Sequence, residues 1–208
     1  MQMKKRVSEK AKKAVAEVLS LTTQLTDYLV DGKNIPDSER EIIRYGVEGI
    51  LNNLLGIFIT LTVGIFCDCV FESCVFWISF WTLRKRKHAG GFHAKTKFRC
   101  LMMSVVLLFV AFEFLLKAGW TINVYTWIMA IGSGCIFCLA PVGTHNKQLD
   151  KEEVRVYRKR TRMILSIQLM LYVLSLILGG EQFCRIVAVN VVVASFSLVL
   201  GKISLNMW

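Results

Sequence analysis

The chain has 208 residues, 54% of them apolar, a mean hydropathy of +0.50 and a formal net charge of +11. That is too apolar for an ordinary soluble domain and too charged for a uniformly greasy one, which leaves a membrane protein with basic loops as the natural class. With two prolines and no Gly/Ser-rich tract to mark a linker, residues 1–208 read as one domain.

At the N-terminus, "MQMKKRVSEKAKKAV" lacks the apolar core of a signal peptide, so nothing there reads as cleaved. Val7, Ala11, Ala14, Val18, Leu21, Leu25 and Tyr28 or Leu29 recur at spacings of three and four, while Lys10, Lys12, Lys13 and Glu17 fall mostly off that stripe. This predicts an amphipathic helix over residues 1–32 lying on a membrane surface, the alternative being a helix packed against the rest of the protein. Gly32 reads as its stop and Pro36-Asp37 as a fresh start.

Six apolar runs follow, Val47–Phe66, Val70–Leu83, Leu101–Ala118, Trp120–Val142, Met163–Leu178 and Gln182–Leu200, within a core of residues 47–201. Crossing a hydrocarbon layer takes about 20 helical residues. Leu101–Ala118 and Met163–Leu178 are short for that, and Val70–Leu83 either borrows the basic residues after it or is re-entrant. Of the 26 Lys and Arg residues, nine precede the first run, seven lie in Arg84–Arg99, seven in Lys147–Arg162, and Lys202 follows the last run. Only Lys117 and Arg185 remain for the opposite side. The positive-inside rule then predicts an all-α polytopic protein: three helical hairpins hung from the cytoplasmic face, with both termini cytoplasmic.

Polar residues inside the runs read mainly as interhelical hydrogen-bond donors and acceptors: Asn52, Asn53, Gln168 and Asn190. Glu113 has the same structural reading, with orientation of a distant His as the alternative. His145 reads as a loop residue. The seven cysteines fit no secreted disulfide framework, and Cys135-x-x-Cys138, without a second half, reads as two small hydrophobes in a helix.

The stretch "RKRKHAGGFHAKTKFRC", Arg84–Cys100, is different. Its seven basic residues hold it at the cytoplasmic membrane face and lack the aromatic platform of a nucleic-acid site. Topology requires neither its histidine nor its thiol. His93 and Cys100 stand six residues apart, and an imidazole can take the proton of a thiol that cations favour as thiolate. On an unbroken helix they would sit about 10.5 Å apart along the axis, so a dyad requires a bend between them or a site shared by two chains. Gly90-Gly91 supplies freedom for a sharp turn. A zinc reading, His88-x4-His93-x6-Cys100, matches no usual spacing and lacks a fourth ligand; a loop His beside a helix-starting Cys is the bland alternative.

Arg86, Gly90-Gly91-x-His93-Ala94 and Cys100, with "APVGTHNKQLDKEE" at Ala140–Glu153, resemble the accessory gene regulator B (AgrB) family of bacterial membrane endopeptidases. Gln148 stands where that family often has Pro after an Asn-Lys pair, a departure at a loop position. The resemblance implies a cysteine endopeptidase of the bacterial plasma membrane with no cofactor, cutting and cyclising a quorum-sensing pro-peptide that has an amphipathic leader and an acidic C-terminal tail. It implies Cys100 as nucleophile and His93 as general base, with Arg86 and Gly91 matching positions needed for activity. Lys95 and Lys97 are candidate oxyanion partners, and a homodimer is expected. The competing class is a non-catalytic membrane partner or small transporter whose basic loops bind lipid or an acidic protein.

Overall fold

The computed structural model describes residues 20, 22–32, 36–84, 89, 97–143 and 149–206, with the backbone alone at 37, 97–100, 205 and 206. Among these described residues seven α-helices follow in order: α1 over residues 22–31, α2 Arg40–Phe66, α3 Val70–Arg84, α4 Lys97–Val110, α5 Ile122–Leu139, α6 Lys151–Ile177 and α7 Glu181–Asn206. Each of the six apolar runs falls on one of α2 to α7. Among the described residues four helices are long and apolar enough to cross a membrane: α2, α5, α6 and α7. The 15 residues of α3 reach about 22 Å, short of a hydrocarbon layer of about 30 Å. The apolar part of α4, Leu101–Leu116, is likewise short. The chain divides into two compact units, residues 1–59 with 95–103 and residues 60–94 with 104–208.

In the first unit α1 ends before Gly32, and a 3-10 turn, Asp37–Glu39, follows Pro36 into α2, the stop and restart expected from the sequence. The buried residues of α1 are Thr22, Thr26 and Val30. Leu25 and Tyr28 are 41% and 77% exposed, so the face that packs is the threonine one and the apolar stripe is left outward, away from the protein. An ion pair of 2.7 Å joins Asp27 of α1 to Arg40 of α2. Much of α2 is openly apolar, with Ile42, Tyr45, Ile50, Leu54 and Phe58 exposed. Water would make such a surface costly, whereas lipid would not. Asn52 and Asn53 are exposed too, and among the described residues neither makes a side-chain hydrogen bond.

The second unit is built around α7, whose apolar window is 67% buried against 17% for α2. It packs on α3, α5, α6 and the end of α4. α5 presents Tyr125, Met129, Gly132, Ser133 and Ile136 as one buried stripe, and α6 presents Thr161, Leu165, Gln168 and Tyr172. Gly132 lets α5 and α7 approach: a Cβ there would stand 2.9 Å from Val191 Cγ1. Small residues at such a crossing are what close packing in lipid requires. Asn190 of α7 donates to Ser79 Oγ of α3 at 2.7 Å, and Gln168 of α6 donates to the Ser79 carbonyl at 2.9 Å. Two of the four residues read from sequence as interhelical glue therefore converge on one turn of α3.

The hairpin turns of α2/α3, α4/α5 and α6/α7 meet at one end of this unit. They line a cleft of about 430 Å³ with Asp68, Glu72, Lys117, Glu181, Gln182 and Arg185 among its walls. Charges here are locally balanced: Lys117 pairs with Glu113 at 2.8 Å, Arg185 with Glu181 at 3.1 Å, and Gln182 donates to Glu72. α4 passes into a π-helical turn, Ala111–Leu116, just before this end. Tyr125 of α5 reaches back to donate to the Leu115 carbonyl at 2.6 Å, satisfying a backbone acceptor that the irregular turn leaves open.

Candidate active site

The segment between α3 and α4 is fixed where the structure describes it. α3 closes on Arg84, whose guanidinium lies over the Phe80 ring at 5.2 Å. Five residues on, Ala89 is buried, and its carbonyl accepts from the Val142 N–H at 3.1 Å. Ala140 and Val142 are buried as well. The "APV" that follows α5, read from sequence as the end of an apolar run and the start of a family-like segment, thus anchors the chain one residue before Gly90-Gly91.

Of the candidate site residues, Arg86, Gly90, Gly91, His93 and Lys95 lie outside the described residues, as does His145. Lys97 is the first described residue of α4, and Cys100 stands in the same first turn, each placed by its backbone. Cys74 lies on α3, Cys135 and Cys138 lie on α5 in the expected helix, and Cys184 is buried on α7. Cys67 and Cys69 are buried in the α2/α3 turn. Burial, then the neighbouring Glu113 carboxylate, pushes the Cys67 thiol up; burial, then Cys67 itself, pushes Cys69 up to about 11. A thiol held protonated is a poor nucleophile, so neither competes for the chemistry expected of Cys100. Glu113 is committed to Lys117 at the turn end, which is the structural use expected for it. Among the described residues no three His, Cys, Asp or Glu side chains gather closely enough to hold a metal ion.

The family model described as accessory gene regulator B matches residues 22–198, through both short helices and the basic segment between them. The chain belongs to the accessory gene regulator B family. A putative AgrB-like protein of Clostridium perfringens (strain SM101 / Type A) is 26% identical over 167 residues, covering 76% of this chain and 77% of the relative. A second from Clostridium perfringens (strain 13 / Type A), putative AgrB-like protein 2, is 28% identical, covering 70% and 71%. The accessory gene regulator protein B of Staphylococcus aureus (strain bovine RF122 / ET3-1) is 24% identical, covering 84% and 90%. No solved structure matches significantly. AgrB membership implies a role in accessory-gene-regulator quorum-sensing processing, and with four apolar helices of spanning length the chain is a membrane protein.

Proposed function

We propose that this chain is a membrane cysteine endopeptidase that removes the C-terminal tail of a quorum-sensing pro-peptide and cyclises the remainder. One observation carries the reading: the AgrB match runs through a basic segment holding Arg86, Gly90-Gly91, His93 and Cys100 between two apolar helices. The positive-inside rule puts this segment on the cytoplasmic face of a bacterial plasma membrane, in three hairpins with both termini inside.

In the reaction His93 takes the Cys100 thiol proton and the sulfur attacks the carbonyl carbon that ends the peptide core. The C–N bond breaks, and His93 returns the proton to the departing amine of the tail. The core is left as a thioester on Cys100. A Cys thiol (or Ser hydroxyl) within the core then attacks that carbonyl and its proton passes to the Cys100 sulfur. The product is a thiolactone (or lactone), with no water consumed. The first turn of α4 favours negative charge at Cys100 through the helix dipole. Lys95, Lys97 and nearby backbone N–H groups are the candidates for stabilising the tetrahedral oxyanion. Gly90-Gly91 lets the chain turn into the site, and Arg86 holds an acidic part of the substrate or the loop itself. Exclusion of water at the membrane edge favours ring closure over hydrolysis. The tail is acidic and the leader amphipathic; two copies of the chain form the working unit.

Co-expression with an acidic-tailed precursor peptide of the proposed class tests this by mass. Wild type is expected to release the tail and yield a core lighter than its linear form by one water, while Cys100→Ala and His93→Ala leave the precursor intact. Equal processing by the Cys100→Ala protein would refute the reading.

A further inference from the structure

α6 begins 12 residues ahead of its apolar half, and those residues are built as helix rather than loop. Asp150 caps the Lys151 N–H at 2.7 Å, and Glu153 reaches back to the Asp150 N–H, a complete capping box. Lys151, Arg155, Arg158, Lys159 and Arg162 line a cleft of about 420 Å³ on this segment. At 3.6 residues per turn the five fall within an arc of about 100° and about 16 Å of axis. Among the described residues no carboxylate pairs with any of them. Arg162 sits over the Phe137 ring of α5, its guanidinium carbon 4.0 Å from the ring centroid, a cation–π contact that uses none of its N–H donors.

The same arc runs on past Arg162 into apolar residues that the protein does not cover. Met170, Val173 and Ile177 are 71%, 51% and 76% exposed, while the buried stripe of Thr161, Leu165, Gln168 and Tyr172 lies on another side of the helix. One face of α6 therefore changes from five unpaired cations to open hydrocarbon along a single line. We propose that this face binds an anionic phospholipid, its phosphate among Arg155, Arg158, Lys159 and Arg162 and its acyl chains along Met170, Val173 and Ile177. Guanidinium forks match phosphate oxygens two at a time. Five cations with no acid among them select a headgroup of net negative charge over a zwitterionic one. A soluble anion or an acidic peptide would use the cations but has no need of the apolar continuation. The bound lipid would tie α5 and α6 together through Arg162 and Phe137 and set the depth of the hairpin. This inference stands apart from the peptidase reading, since it draws only on α5 and α6.

Native mass spectrometry of the full chain, purified in detergent and offered equal amounts of phosphatidylglycerol and phosphatidylcholine of matched chains, tests it. Wild type should retain phosphatidylglycerol in about 10-fold excess. The triple variant Arg155→Gln/Arg158→Gln/Lys159→Gln should fall to parity. Arg160→Gln, on the opposite side of the helix, should keep the excess. The Arg155→Lys/Arg158→Lys variant, with its charge intact, should keep most of it, which separates loss of the site from loss of the fold. No preference in wild type, or an undiminished preference in the triple variant, would overturn the proposal. So would inorganic phosphate or an acidic peptide that displaces the lipid at matched concentration.

Discussion

The two ends of the second unit handle charge in opposite ways. At the turn end the two cations are each held by a carboxylate one helical turn away, Lys117 by Glu113 and Arg185 by Glu181, and two thiols are buried beside them. At the other end, about 40 Å along the 27 residues of α6, the cations stand unpaired in a row, and the chain leading to His93 is pinned at Ala89. A paired charge contributes little field beyond its own neighbourhood, whereas an unpaired row faces whatever anion the membrane or substrate offers. Among the described residues of this unit, Lys and Arg are thus divided in space between a neutralised end and a basic one.

The sharpest break between the ends should be chemical. Cys100→Ala is expected to lower tail release by about 10³-fold or more, the size seen when a covalent nucleophile is removed. Cys69→Ala at the turn end should leave it within about 3-fold, since its thiol is held protonated and buried. Rates of tail release from membranes carrying equal amounts of each variant would check this. Lys117→Ala should be as mild as Cys69→Ala, because its partner Glu113 serves the turn and not the site.

The middle of the unit should respond in stability rather than in chemistry. Gly132→Leu forces a side chain into the space held by Val191 and is expected to cost about 1–3 kcal/mol. Asn190→Leu removes the bond to Ser79 and should cost less, about 0.6–1.7 kcal/mol, as interhelical hydrogen bonds in lipid do. Thermal unfolding in one detergent at one lipid content would rank them. The smallest effect belongs to pH. Below about 9 the Cys69 thiol is protonated in both folded and unfolded chains and contributes nothing. As pH rises from 9 toward about 11 the unfolded chain ionises while the folded one does not, so the melting temperature should fall over that window. Cys69→Ala should lose part of that slope.

The helices were legible because hydrocarbon demands unbroken apolar runs, and the runs ending at Phe66 and starting at Val70 and Leu101 lie on the helices found. Their ends were less legible. α2 starts at Arg40 and α6 at Lys151, well ahead of their apolar runs, since charged residues extend a helix once a cap such as Asp150 with Glu153 starts it. The π-turn at Ala111–Leu116 depends on a Tyr125 hydroxyl arriving from another helix, which no local pattern announces. Gln168 and Asn190 were identifiable as polar staples, but their shared partner Ser79 was not, because one serine in an apolar run carries no signal of its own. In α1 the apolar stripe of Leu25 and Tyr28 stays outward while Thr22 and Thr26 pack inside, and an apolar pattern alone does not say which polar residues take the inner face. The candidate site was legible only as a motif, His93-x6-Cys100 after Gly90-Gly91. Its anchor, the Ala89–Val142 hydrogen bond, joins two backbone groups and leaves no trace in side-chain identity.

The most direct measurement is the intact mass of the chain after incubation with a precursor whose internal nucleophile has been changed to Ala, so that ring closure is blocked. Covalent catalysis at Cys100 predicts an adduct equal to the tail-less precursor, leader and core together, less one water, removed by hydroxylamine, mapped to Cys100 and lost in the Cys100→Ala protein. Tail release without any adduct, or an adduct that survives in Cys100→Ala, would contradict it.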